Sequence, residues 1–172
     1  DGTPVNTCSA TKPKYCNSAG NLVNSCSTCG CPSGKVCQGD GSCVNAVAQF
    51  GAIWSNLRKN QGNLPPGCPA SGYNWWYYDM QLKENGGIIG ITATQRQKCF
   101  NSPYSGNNCG SQTSDITNWF GTNQIPAGGT INSITPNYFC LVIGDIGTLT
   151  ETFWGVDGNN NNLQASYSFS VS

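Results

Sequence analysis

Seven of the eleven cysteines fall within the first 43 residues: Cys8, Cys16, Cys26, Cys29, Cys31, Cys37 and Cys43. Two chemistries suit such a cluster, disulfide bridging and metal ligation by thiolates. Zinc would be sought at Cys26-x-x-Cys29-x-Cys31. Thiolate zinc sites, however, recur as paired C-x-x-C knuckles or combine cysteine with histidine. This chain has one C-x-x-C and no histidine. Its irregular spacings of 8, 10, 3, 2, 6 and 6 match a disulfide framework, so no metal or other cofactor is expected. No βαβ pattern surrounds Cys26 and Cys29, which argues against a thioredoxin-like redox pair.

The odd cysteine count leaves at least one thiol without an internal partner. The bridged set is expected to be Cys8, Cys16, Cys26, Cys29, Cys31, Cys37, Cys43, Cys68, Cys99 and Cys109. Cys140 sits in the apolar run Tyr138–Ile143, reads as a small buried hydrophobe, and is the expected free thiol. Cys99 and Cys109 flank a turn-rich segment and are expected to close it. Cys29 and Cys31 are too near in sequence to bridge without strain. Cys68 would supply the partner that seven N-terminal cysteines need. The rival pairing is Cys68 with Cys140, which leaves one N-terminal cysteine free. Bridges on this scale imply an oxidising compartment, and the expected location is extracellular or the cell surface. No secretory leader precedes Asp1, so this reading expects its prior removal or a mature fragment.

Other chemistry is sparse. The eight acids include Asp79 and Glu151, which lie on predicted strands and could converge as a glycosidase pair. With so few acids and no histidine to act as base, solvated strand faces and turns are the favoured reading, and no catalytic residue is assigned. Asp157-Gly158-Asn159-Asn160-Asn161 opens like a calcium loop, but the sixth and twelfth positions are Asn162 and Ser168 rather than Gly and Glu. A hairpin turn is favoured over a calcium site shared with Asp145. The aromatic run Trp75-Trp76-Tyr77-Tyr78 is the best functional lead. On a strand, Trp76 and Tyr78 would point inward while Trp75 and Tyr77 point outward, where with Trp119 they could stack on sugar rings or fill a partner's pocket.

These residues must be positioned by a small module followed by a larger one. Residues 1–44 carry few apolar side chains and many turns, and read as a disulfide-rich module. Residues 45–63 read as a linking helix. Val47, Phe50, Trp54 and Leu57 fall 3, 4 and 3 apart, Asn45 could cap the start, and Arg58 and Lys59 suit the end; Gly51 keeps a strand open as the alternative. Residues 64–172 alternate with period two from residue 73. Glu84-Asn85-Gly86-Gly87 signals a hairpin, and Leu163–Val171 alternates most cleanly, with Gln or Ser at every even position. The expected fold is mainly β: the disulfide-rich module, the linking helix, and an antiparallel, immunoglobulin-like sandwich.

Two resemblances follow. Lys12-Pro13-Lys14-Tyr15-Cys16, Gly20-Asn21-Leu22, Cys26 to Gly34, Cys37 and Asp40-Gly41-Ser42-Cys43 resemble the small Cys-rich modules of extracellular archaeal and bacterial surface proteins. Gly155-Val156-Asp157-Gly158-Asn159 with the alternating final strand looks like the immunoglobulin-like sandwich of microbial secreted proteins. Such modules share no catalytic residues, so the resemblance implies no enzyme. Net charge is zero with no basic stripe, so nucleic acid is not an expected partner, and no apolar run approaches the length of a membrane span. Low charge favours association with copies of itself. The expected function is a secreted structural or adhesive subunit of an extracellular filament or surface layer. The alternative is a carbohydrate-binding module that holds polysaccharide through Trp75, Tyr77 and Trp119.

Overall fold

The computed structural model describes every residue from Asp1 to Ser172 and is mainly β, with 49% of residues in strands and 5% in two short helices. Neither helix is long and apolar enough to cross a membrane. Contacts divide the chain into Asp1–Val47 and Ala48–Ser172, three residues beyond the boundary expected at residue 44.

The first unit contains β1 (Thr7–Cys8), β2 (Lys14–Cys16), β3 (Leu22–Asn24), the one-turn helix α1 (Cys26–Cys29), β4 (Lys35–Cys37) and β5 (Cys43–Asn45). β1, β2 and β3 form a small antiparallel sheet, and β4 pairs with β5. Only Cys16, Cys26, Cys29, Ala46 and Ser9 are buried here, too little apolar material for a core. Cross-links replace it: Cys8–Cys29, Cys26–Cys37 and Cys31–Cys43. Each closes a loop of 11 to 21 residues, worth about 3 kcal/mol in the chain-entropy account.

The second unit holds β6 (Phe50–Lys59), β7 (Tyr73–Glu84), β8 (Ile91–Ser102), β9 (Gly106–Cys109), α2 (Ile116–Phe120), β10 (Gln124–Ile125), β11 (Thr130–Asn132), β12 (Asn137–Val142), β13 (Gly147–Asp157) and β14 (Asn162–Val171). One sheet is centred on β7, with β6 on one side and β11 and β12 on the other. The second runs β10-β8-β13-β14, with β9 added to β8. All pairings are antiparallel. Trp76, Tyr78, Met80 and Leu82 of β7 meet Leu149 and Phe153 of β13, with Ile91, Phe100, Phe139 and Val171 completing one core. Each fully buried large side chain contributes about 1.5–3 kcal/mol. The period-two patterns of β7, β13 and β14 therefore sort residues inward and outward as the sequence predicts.

Four expectations are corrected. Residues 45–63 form no helix; Phe50–Lys59 is an edge strand on β7. Gly51 weakens a helix, Phe50, Ile53 and Trp54 suit a strand, and β7 offers it a twelve-residue ladder. The apparent helical stripe arises from a bulge between Ser55 and Arg58, where Asn56 takes φ 52° and Leu57 is left 48% exposed. Glu84–Gly87 is no hairpin either, because β7 and β8 belong to different sheets and this segment arches between them. Cys16 is the free thiol, 3% exposed on the central strand of its sheet. Cys140 is bridged to Cys68: the run Tyr138–Ile143 alternates, so Phe139 faces the core while Cys140 faces outward with Trp75, its register partner. The Cys99–Cys109 bridge is present and joins register partners of β8 and β9.

Candidate functional site

β8, β12 and β13 carry polar side chains into an otherwise apolar interior. On β13 the inward residues are Leu149, Glu151 and Phe153, and Glu151 is fully buried. Its Oε2 accepts from the Tyr78 hydroxyl at 3.0 Å, and its Oε1 lies 3.3 Å from Arg96 Nη1. The same Nη1 donates to Asn137 Oδ1 at 3.3 Å. Arg96 Nε lies 3.4 Å from Asp115, and the guanidinium covers the Trp119 ring at 3.9 Å. Lys98, two residues along β8, donates from Nζ to the Tyr138 carbonyl at 3.0 Å. Two cations thus face two carboxylates.

Burial shapes the protonation of this cluster. It pushes Glu151 above the ordinary carboxylate range, against the pull of Lys98 and Arg96. It raises the Tyr78 phenol well above its usual value, helped by the Glu151 charge, and lowers Lys98. Asp115 is lower than usual: burial opposes this, but bonds from Thr113 and Trp119 and the Arg96 charge outweigh it. The alternation gave no signal for Arg96 and Lys98: Ile91 and Ala93 set odd positions inward, and the register shift opposite Trp154 and Gly155 turns Arg96, Lys98 and Phe100 inward instead. Nothing marked Asn137 among the chain's many asparagines.

The proposed carboxylate pair does not come together. Asp79 lies on the outer face of β7, bound by Asn56 Nδ2, whereas Glu151 lies inside. The Asp157 loop is a turn. Its carboxylate accepts from the Ala48, Asn159 and Asn161 backbone N–H groups and from Asn161 Nδ2. Asp145 lies at the other end of β13, about 35 Å away at roughly 3.3 Å per residue, so the two cannot share an ion. Trp75 and Tyr77 do point outward, but the segment after β6 covers them. The Asn60 N–H donates to the Trp75 carbonyl and Asn60 Oδ1 accepts from the Trp75 N–H, the Tyr77 hydroxyl donates to the Asn63 carbonyl at 2.9 Å, and Cys68–Cys140 pins the segment. Trp75 Nε1 is buried with no partner. Trp119 is half-buried beneath Arg96, and its Nε1 donates to Asp115 at 2.7 Å. None of the three is a free aromatic platform.

One side of the sandwich is bounded by two edge strands that lie close together without pairing. β6 pairs only with β7, and β14 only with β13. No backbone hydrogen bond joins the two outer edges. Between them is a small apolar slot lined by Trp54, Ser55, Leu57, Tyr167 and Phe169. Asp157 N–H donates to the Asn161 carbonyl, which sets the hairpin's parity. The odd residues of β14 bond inward to β13, and Gln164, Ser166, Ser168 and Ser170 present their N–H and C=O groups outward. On β13 and β14 the outer face is a ladder of Thr148, Thr150 and Thr152 beside Ser170, Ser168 and Ser166, without a charge.

No protein-family model matches the chain, and no curated protein matches it. Among solved structures it is similar to a Bordetella pertussis protein given the name ApaA, at 13% identity and a TM-score of 0.54, over 73% of this chain and 94% of that one. A structural-genomics target designated SoR45 overlaps less well, at 11% identity and a TM-score of 0.48, over 73% of this chain and 85% of that one. The first likeness concerns the fold alone.

Proposed function

We propose that this chain is a secreted structural subunit that assembles with copies of itself through the edge of β14. One observation carries the reading: β14 is a ten-residue alternating edge strand with no charge, proline or bulge. Soluble proteins commonly guard such an edge with those devices, because its unpaired backbone groups template another strand. A strand from a second copy would satisfy the outward groups of Gln164, Ser166, Ser168 and Ser170. Its inward side chains would cover the slot beside Leu57. Zero net charge removes the long-range repulsion that opposes packing of copies. Ten of eleven cysteines in bridges place the chain in an oxidising environment. A position outside the cell, as a filament or surface layer, accords with it.

The test is light scattering and negative-stain microscopy of the native protein. Fibres, or a mass several times that of one chain, are expected. Ser168→Pro, which removes one outward N–H, and Leu57→Lys, which charges the slot, should each yield monomers with an unchanged circular dichroism spectrum. A wild-type monomer at all accessible concentrations refutes the reading. A second reading, polysaccharide binding, is favoured by a polar groove of about 340 Å³ on the other sheet, lined by Asn56, Asp79, Gln81, Asn132 and Ser133 among others. It requires retention on an insoluble glycan that Asp79→Ala abolishes.

A further inference from the structure

Asn137 is fully buried, and its two amide ends are treated unequally. Oδ1 accepts from Arg96, whereas Nδ2 has no acceptor. A buried donor left unmatched costs about 1–3 kcal/mol, so its persistence calls for a reason. Lys98 enters the same interior from the facing sheet. Its Nζ reaches β12 at the carbonyl of Tyr138, the residue next to Asn137, and it forms no ion pair. Glu151 stands opposite Lys98 in the β8–β13 register and touches the guanidinium that holds Asn137 Oδ1. An amine, a carboxamide, a cation on the carboxamide oxygen and a carboxyl group therefore gather between the facing sheets, with Lys98 also lining an open cleft beside Phe139 and Cys140. Burial lowers Lys98 toward the neutral, nucleophilic amine and raises Glu151 toward the protonated acid.

We propose that Lys98 and Asn137 join in an autocatalytic isopeptide bond that ties the two sheets together. The Nζ lone pair attacks Asn137 Cγ, forming the N–C bond. Arg96 Nη1, already on Oδ1, holds the negative charge that develops there. The Cγ–Nδ2 bond then breaks. Nζ gives up a proton and Nδ2 gains one, with Glu151 as the carrier, and Nδ2 leaves as ammonia. One amine and one primary amide become one secondary amide and ammonia, with no oxidant, reductant or other co-reactant. The departing atom is the unmatched donor itself, so the reaction removes a buried unsatisfied group. This bond does not depend on self-assembly and would form in a monomer.

Intact mass of the full chain, with disulfides reduced and alkylated, tests the proposal. The wild type is expected to be lighter than its sequence by one ammonia. Digestion with trypsin and a protease that cuts before aspartate, at Asp115, should return Lys98 and Asn137 in a single branched peptide, with no cleavage after Lys98. Lys98→Arg should restore the full sequence mass. Glu151→Gln should leave most molecules uncrosslinked while far-ultraviolet circular dichroism shows a folded chain. Full sequence mass in the wild type, with separate linear peptides, overturns the proposal. So does an ammonia loss that maps to a succinimide at Asn85-Gly86.

Discussion

Two buried acids, Glu84 and Asp157, are architecture. Glu84 is 1% exposed, covered by its own loop, and accepts from the backbone N–H groups of Gln49, Gly86, Gly87 and Gly128. Burial opposes its ionisation, but the four donors hold it below the ordinary carboxylate range, and Asp157 is held low in the same way. The sign of the pH effect follows. When the folded pKa lies below the unfolded one, the stabilisation is present above the unfolded value, about 3.9–4.3, and disappears as pH falls through the folded value. Glu151, shifted upward, has the opposite sign: its contribution is complete at low pH and is lost as pH rises through its folded value. Glu84→Gln should cost about 1–3 kcal/mol at pH 7, because one oxygen and no charge replace a carboxylate with four donors. It should also flatten the loss of stability below pH 4. Urea midpoints at pH 7 and pH 3 measure both effects, and an unchanged midpoint at pH 7 contradicts the assignment.

At the scale of elements, contacts between strands override local preference. β6 follows a helical stripe in sequence and is a strand because β7 has an unfilled edge. The same rule governs β13. Its pairing with β8 shifts register between Trp154 and Gly155, and an added Cβ at Gly155 would lie 2.7 Å from the Thr92 carbonyl oxygen. That atom is strand backbone and cannot yield cheaply. Gly155→Ala is therefore expected to cost about 1–3 kcal/mol of stability. Gly39→Ala, with nothing within 4 Å and no left-handed φ, should have no measurable effect. Chemical denaturation of the two variants side by side gives the comparison, and equal midpoints would refute the close approach.

The whole molecule combines two strategies of stabilisation. Ala48–Ser172 buries an apolar core between sheets and adds Cys68–Cys140 and Cys99–Cys109. Asp1–Val47 depends on three bridges. Reduction should therefore unfold residues 1–47 while residues 48–172 keep their structure, visible as selective collapse of amide resonances from the first unit. Alkylation of the denatured, unreduced chain should label one cysteine, Cys16. Several labelled thiols would break the covalent framework and, with it, the assignment to an oxidising compartment.

Composition and periodicity by themselves determined a disulfide-stapled first module and a mainly β second one. Cysteine density and a period-two pattern act locally, through chain entropy and the direction of successive side chains. They also determined which residues of β7 face inward, and that Cys99 meets Cys109. Only the tertiary structure decided that Cys140 is bridged while Cys16 is free, and that loop residues cover Trp75 and Tyr77. It alone brings Lys98, Asn137 and Glu151 together. Each of these depends on which strand lies across the sandwich or beside an edge, a choice made by long-range pairing that no stretch of neighbouring residues encodes.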